Sequence, residues 1–153
     1  MSRAIRPFEP RDFDRVHQVC VAAFTPVHRG FEQALGAEMF AREYPGWQAR
    51  YADDIRGLIA DPNIQLHVVD EAGVVVGFVT TRIDPARGVG ELGLNAIDPS
   101  QQGKGIGKEM YAFALRNLKD ASGNEIEAQA PFKAIRDGED QSARAQHLRG
   151  VMD

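Results

Sequence analysis

The sequence predicts a single layered domain of the α/β or α+β class, and three observations lead to this prediction. Apolar residues recur at helical spacing in four segments of the chain. Between the third and fourth of these segments, β-rich runs bounded by turn residues predict strands. The length of 153 residues suits one domain, and no internal repeat is visible.

The composition excludes several classes of protein. The chain is 43% hydrophobic and 26% charged, as is typical of a folded domain, and its net charge of -4 disfavours nucleic acid as a partner. The single cysteine, Cys20, excludes an internal disulfide bond, and the histidines lack metal-ligand spacing, so we expect no metal site. Because no apolar run could span a bilayer and the N-terminus does not resemble a signal peptide, we expect a cytoplasmic protein with no membrane partner.

The first predicted elements are a strand and a helix. Ala4–Phe8 has the pattern of a short strand. A helix is expected to begin after Asp12, a favourable N-cap residue, and to end near Phe24, because Pro26 cannot continue it. Cys20 lies on the apolar face of this helix, so we expect it to be a small core residue.

Two further helices are predicted before the pattern changes. The apolar spacing indicates helices over Phe31–Phe40 and Gln48–Ala60, with a Pro-Gly turn between them. His28 falls in the loop before the first of these helices, and we interpret it as a surface histidine.

The middle of the chain is predicted to form strands. Ile64–Val69 and Val74–Ile83 flank the turn Glu71–Gly73 and read as an antiparallel hairpin. A loop over Asp84–Gly90 then leads to a strand over Glu91–Ile97.

A glycine-rich loop follows this strand and carries the most informative pattern. Gly103–Gly107 precedes a predicted helix over Lys108–Lys119. The first amides of a helix lack acceptors within the helix, and the helix dipole favours anions there. Glycines let a ligand approach the backbone, and Lys104 and Lys108 add positive charge. We therefore interpret the loop as a pyrophosphate cradle.

Two other phosphate-binding motifs fail. The Walker A pattern requires Ser or Thr after its Gly-Lys pair, but here Glu109 follows. Gly88, Gly90 and Gly93 form a Gly-x-Gly-x-x-Gly string, but this string precedes a strand and does not open a helix. We interpret these glycines as loop residues.

These residues give the sequence a resemblance to the GNAT superfamily of N-acetyltransferases over about residues 5–120. Gln102–Gly107 matches the acetyl-CoA signature of that family, Gln/Arg-x-x-Gly-x-Gly/Ala, and Ile97-Asp98-Pro99 precedes it as expected. Gly77-Phe78-Val79 resembles the family's third strand. The resemblance implies a GNAT-like fold, with a mixed, mainly antiparallel sheet flanked by helices and a splayed fourth strand.

The resemblance also implies roles for individual residues. Asn95, Ala96 and Ile97 would offer main-chain groups to the pantetheine arm of acetyl-CoA, the acyl donor. The pyrophosphate would be bound mostly through amides by Gln102, Gly103, Lys104, Gly105, Ile106, Gly107 and Lys108. An amine attacks the thioester directly in this family. Glu91 is the best-placed candidate for the catalytic general base, and the alternative for it is a solvated charge at the end of a strand.

The C-terminal part departs from the family pattern. Residues 1–120 form the predicted acetyltransferase-like core, whereas residues 121–153 contain no tyrosine and no β-rich run. We therefore expect the C-terminal strands to be missing. We hypothesise that this atypical tail is a frameshifted reading of a normal C-terminus or is poorly ordered, since a shift of one base permits Ala-Pro-Ala-Arg-Ser-Thr-Tyr-Glu between Ser142 and Gly150. A diverged or truncated member with a genuine tail is the alternative.

The sequence thus predicts an enzyme, a GNAT-type acyltransferase that moves an acetyl group from acetyl-CoA to a primary amine of a small molecule or peptide. The alternative is a catalytically inactive acyl-CoA-binding or partner-binding domain, which the missing C-terminal elements favour. The failed motifs disfavour a nucleotide-binding protein of another fold. A homodimer is left open, because an uncovered fourth strand is prone to association.

Overall fold

A computed structural model describes residues 2–84, 86–87, 89–122 and 127–128, with side chains described as far as residue 118. The order of its main elements is β1 (Arg3–Pro7), α1 (Phe13–Leu35), α2 (Ala37–Glu43), α3 (Trp47–Ala60), β2 (Ile64–Glu71), β3 (Val74–Asp84), β4 (Val89–Ile97), α4 (Ile106–Ser122) and β5 (Glu127–Ala128). Apart from the end of α4 and β5, the tail over residues 121–153 lies outside the described residues. The hypotheses about that tail therefore stay hypotheses.

The sheet has the order β1-β2-β3-β4-β5. The pairs β1–β2, β2–β3 and β3–β4 are antiparallel, and β5 is parallel to β4. Ala72 and Gly73, with φ of +53° and +88°, form the two-residue loop between β2 and β3, a backbone geometry that matches the twist of a hairpin. The predicted mixed, mainly antiparallel fold is confirmed.

Helices cover both faces of this sheet, and each face has its own core. On one face, α1 and α3 bury a cluster that includes Val16, Phe24, Ile55 and Phe78. On the other face, α4 packs Ile106, Met110 and Ala114 against the sheet. Cys20 is fully buried in the first cluster, which confirms its predicted place in the core.

The predicted end of the first helix at Pro26 is wrong, because α1 continues through this proline to Leu35. A proline inside a helix costs about 3 kcal/mol, so tertiary packing must offset that cost. Val27 and His28, just beyond the proline, are buried, and the His28 ring contacts Trp47 of α3.

The predicted helix over Phe31–Phe40 is divided between two elements. Its first part belongs to α1, which ends at Leu35 and is followed by Gly36, a residue with φ of +84°. The chain resumes as α2 only at Ala37. A left-handed φ is favourable only for glycine, which is why the break occurs at this position.

Two predictions near β4 are also corrected. The expected loop over residues 84–90 is shorter, because β3 extends to Asp84 and β4 begins at Val89. The expected absence of a fifth strand is wrong for Glu127–Ala128, which pair in parallel with Val89 and Gly90. A strand of two residues is too short to show an alternating apolar pattern. This strand therefore depends on backbone pairing that its own sequence does not predict.

Candidate active site

A bulge interrupts β4 halfway along its length. The register between β3 and β4 shifts between Val79 and Thr81, so that Gly93 and Leu94 together face the single residue Thr80. A Cβ atom on Gly93 would lie 2.6 Å from the Thr80 hydroxyl oxygen, so this close approach requires glycine. Such a bulge bends the strand and disrupts its ladder of hydrogen bonds. Gly93, like Gly90, is therefore part of β4, and the interpretation of these two glycines as loop residues is wrong.

Side chains satisfy the two carbonyl groups of the bulge. The Thr80 hydroxyl donates to the Leu94 carbonyl at 2.9 Å, and the Asn95 side-chain amide donates to the Gly93 carbonyl at 2.8 Å. Asn95 is buried, and its side-chain oxygen accepts a hydrogen bond from the Tyr111 hydroxyl at 3.0 Å. The side chain of Asn95 thus ties the bulge to α4, a role that the sequence did not reveal.

Beyond the bulge, the outer edge of β4 is open within the described part of the chain. There β5 pairs only with Val89 and Gly90. The Asp98 amide donates to the Val76 carbonyl of β3, and alternate residues of a strand direct their main-chain groups to opposite edges. The groups of Ala96, opposite Phe78, therefore face β3, whereas those of Asn95 and Ile97 face the outer edge and have no described strand beside them. Unpaired groups along a strand edge are available to a ligand that offers complementary donors and acceptors.

The glycine-rich loop connects this strand to the first turn of α4. Gly103 and Gly105 have φ of +83° and +80°, values that other residues adopt only with strain. A Cβ atom on Gly107 would lie 3.2 Å from Cδ1 of Ile97, so the end of β4 lies directly against the start of α4. The fold thus brings the predicted segments 95–97 and 102–108 together.

The loop presents mainly backbone to its surroundings. The Ile106 side chain is buried in the core beneath α4, whereas Gln102, Lys104 and Lys108 are exposed. The Lys104 ammonium donates to the side chain of Gln101 at 3.0 Å. An anion at the start of α4 would meet amide groups, with the two lysines as additional positive charge.

Asp98 begins the segment that leads into this loop. Its side chain accepts hydrogen bonds from the Ser100 amide at 3.0 Å and hydroxyl at 2.9 Å, and pairs with Arg15 at 2.5 Å. Burial would raise the pKa of Asp98, but the Ser100 groups and the Arg15 guanidinium outweigh burial and lower it. Asp98 is therefore held as a carboxylate.

Glu91 lies towards the other end of β4. Its side chain is 39% exposed and sits 3.8 Å from the Arg87 guanidinium. Leu92 points towards α4, so strand alternation directs Glu91 to the face of α1 and α3. Glu91 and Ile97 are six positions apart, a span of about 20 Å along a strand. The structure therefore does not bring Glu91 next to the glycine-rich loop.

An aromatic cluster fills the junction of α1, α2 and α3. The His28 ring lies 4.0 Å from the Trp47 ring centroid and 5.6 to 5.8 Å from those of Phe31, Tyr44 and Tyr51. His28 is only 6% exposed, so its prediction as a surface residue is wrong; the continuing α1 helix turns it inward. Burial lowers the pKa of His28 to about 4.

Two other kinds of feature are absent from the described residues. No group of three or more His, Cys, Asp or Glu side chains in that part of the chain could hold a metal ion. None of its helices combines the length and the apolar character needed to cross a lipid bilayer.

Comparison with known sequences identifies relatives of the chain. Residues 32–136 match the sequence model of the acetyltransferase (GNAT) family. A mycothiol acetyltransferase from Pseudarthrobacter chlorophenolicus is 31% identical over 123 residues, which cover 76% of this chain and 34% of that relative. The chain spans about a third of the length of the curated relatives that it matches.

Solved structures give the same result. A GNAT family acetyltransferase from Brucella melitensis in complex with acetyl-CoA superposes with a TM-score of 0.58 and 26% identity, covering 78% of this chain and 70% of that one. An aminoglycoside N-acetyltransferase in complex with CoA has a TM-score of 0.58 at 16% identity and covers 93% and 86% of the two chains, which shows a shared fold. On the match over residues 32–136, the chain belongs to the GNAT family of acetyltransferases.

Proposed function

We propose that this chain transfers an acetyl group from acetyl-CoA to an amine of a small molecule or peptide. The observation that carries the proposal is the contact between the end of β4 and the first turn of α4, marked by Ile97 against Gly107. This contact joins an open strand edge to a set of helix amides. The strand edge can bind the amide groups of a pantetheine arm, and the helix amides can bind a diphosphate.

The glycine-rich loop suits the diphosphate of the donor. Gly103 and Gly105 have no side chain that could obstruct a ligand. Nothing lies within 4 Å of the position that a Cβ atom would take on either residue. The amides at the start of α4 and the exposed Lys104 and Lys108 would together bind the negative charge. The Brucella melitensis relative, which contains acetyl-CoA, supports this assignment.

The open edge of β4 suits the pantetheine arm. The main-chain groups of Asn95 and Ile97, which face this edge, would hydrogen-bond to it, with Ala96 between them. The bulge at Gly93 fixes the direction of the edge. The span of about 20 Å from Ile97 to Glu91 is comparable with an extended pantetheine arm. A donor bound at the loop would therefore bring its thioester towards the end of β4 that carries Glu91.

Glu91 is the proposed general base. The amine nitrogen bonds to the acetyl carbon, the bond from that carbon to sulfur breaks, and the electron pair leaves with sulfur. The proton released by the nitrogen passes to the Glu91 carboxylate, directly or through water. The Glu91 side chain is partly exposed, and its Oε1 lies 3.8 Å from Nη1 of Arg87. The carboxylate is therefore accessible to such a proton.

The names of the relatives suggest which acceptors to test first. The curated relatives are mycothiol acetyltransferases, and one structural neighbour is an aminoglycoside N-acetyltransferase. Small-molecule amines therefore head the acceptor panel, followed by peptides with a free N-terminus. The division into a core over residues 1–120 and a tail over residues 121–153 stays a proposal.

The experiment combines acetyl-CoA titration by calorimetry with an assay for released CoA thiol in the presence of the amine panel. We expect binding, amine-dependent thiol release, and a rate in Glu91→Gln that is lower by about 10² to 10⁴-fold with binding retained. Glu38→Gln, on an exposed face of α2, is the matched control and should keep full activity.

The other outcomes separate the alternatives. Binding of acetyl-CoA without transfer to any acceptor would favour a catalytically inactive acyl-CoA-binding domain. A folded sample that does not bind acetyl-CoA would overturn the donor assignment.

A further inference from the structure

We infer that Arg15 of α1 is a positioning residue for the diphosphate-binding loop, an inference that rests on the proposed function. Its Nη2 atom lies 2.5 Å from Oδ2 of Asp98, and its Nε donates to the Val75 carbonyl at 2.9 Å. One guanidinium therefore joins the residue that begins the loop segment to the start of β3. Arg15 and Asp98 are 83 residues apart in sequence, and no motif in the loop indicates this contact.

Asp98 passes this constraint on to the loop. Its Oδ1 accepts hydrogen bonds from the amide and the hydroxyl of Ser100, and its own amide donates to the Val76 carbonyl at 2.8 Å. These contacts fix the short turn over Pro99–Gln101, which leads directly into Gln102 and the glycines. With Arg15 in place, both oxygens of the carboxylate are engaged and the turn has one orientation.

The geometry matters because amides bind an anion only when they point at it. A loop that keeps its bound conformation in the free protein spends less binding free energy on ordering. The two glycines with positive φ make this loop intrinsically permissive, so the order must come from outside it. Arg15 supplies that order from the opposite face of the sheet.

The test uses two acetyl donors that differ in the diphosphate. Calorimetric affinities are measured for acetyl-CoA and for S-acetylpantetheine, which lacks the diphosphate and the nucleoside. Arg15→Gln should weaken acetyl-CoA binding about tenfold, the loss expected for one charge-assisted hydrogen bond, and leave S-acetylpantetheine binding unchanged. Arg15→Lys, which keeps one donor and the charge, should recover part of the loss.

Arg11→Gln is the matched control. Arg11 lines the same surface groove as Arg15 but is 72% exposed and pairs only with Glu9 among the described residues. Its affinity for both donors should equal that of the unsubstituted protein. Circular dichroism spectra confirm that each variant is folded before it is titrated.

Asp98→Asn distinguishes positioning from simple attraction by the charge of Arg15. Removing the carboxylate leaves Arg15 unneutralised, so attraction predicts tighter binding of acetyl-CoA, whereas positioning predicts weaker binding. Tighter binding in Asp98→Asn, or equal weakening of both donors in Arg15→Gln, would overturn the inference. If the unsubstituted protein binds no acetyl-CoA, the proposed function itself fails, and this result is visible before any variant is made.

Discussion

The phenol of Tyr111 donates a hydrogen bond to Oδ1 of Asn95 across 3.0 Å, and this bond links α4 to the bulge in β4. The same Asn95 side chain donates to the Gly93 carbonyl, so its nitrogen bonds within the bulge and its oxygen bonds to α4. The open edge proposed for the pantetheine arm and the helix proposed for the diphosphate are therefore held as one unit.

Tyr111→Phe should destabilise the fold by about 1 to 2 kcal/mol, because the substitution leaves the oxygen of buried Asn95 without this donor. The measurement is the midpoint of urea unfolding at constant slope. Tyr44→Phe, in the aromatic cluster, keeps its ring stacked on Phe31 and is the control. Equal midpoints for Tyr111→Phe and the unsubstituted protein would contradict this role for the hydroxyl.

Gly93→Ala should destabilise the fold by about 1 to 3 kcal/mol, because the new Cβ would lie 2.6 Å from the Thr80 hydroxyl oxygen. Thr80→Ala removes that oxygen. The double variant should therefore lose less stability than the sum of the two single variants. Gly57→Ala, inside α3 with nothing within 4 Å of the added Cβ, should instead stabilise the protein by about 1 kcal/mol. Simple additivity at Gly93 and Thr80 would argue against the clash.

A φ of +80° costs about 1 kcal/mol in any residue with a Cβ. Gly105→Ala should therefore let the free loop relax out of this conformation, and recovering it on binding should weaken the affinity for acetyl-CoA about fivefold. Nothing lies within 4 Å of the added atom, so backbone strain is the only expected effect. Gly30→Ala, in α1 and away from the loop, is the control and should bind normally. Calorimetry measures the affinity of the unsubstituted protein and the two variants for acetyl-CoA. An unchanged affinity in Gly105→Ala would show that the left-handed conformation is not needed for binding.

Protonation of His28 should make the protein less stable between pH 6.5 and about 4. In the fold, burial lowers the pKa of His28 to about 4 from an ordinary value of 6.5. The unfolded chain therefore takes up a proton in this window and the folded chain does not, so stability falls as the pH drops and is constant above the window. Burial also lowers the pKa of His67, which adds to the slope below pH 6.5, so His28→Leu should make this part of the stability curve shallower and not flat. The pKa of Asp12 is lowered in the fold, so Asp12 changes the stability only below its ordinary pKa of 3.8, which lies outside this pH window.

Local features were predictable from the sequence. The hairpin loop at Ala72 and Gly73 and the loop before α4 follow from turn residues and glycines that act within a few positions. The helix over Trp47–Ala60 agrees with its prediction to within one residue, because its apolar spacing is regular.

Features that depend on distant contacts were not predictable. The helix continues past Pro26 because residues beyond it are buried against α3, and no local propensity indicates this. A glycine within a strand pattern does hint at a bulge, but the partner of Gly93 is the hydroxyl of Thr80 on another strand. The ion pair between Arg15 and Asp98 likewise joins residues 83 positions apart.

The most direct test of the proposed donor site is an acetyl-CoA titration followed through the backbone amide resonances of the protein. We predict saturable shifts at the amides of Asn95 and Ile97 in β4 and at the amides from Gly103 to Lys108, whereas amides of α2 stay unchanged. Shifts confined to other elements, or none at saturating acetyl-CoA in a folded sample, would contradict the account.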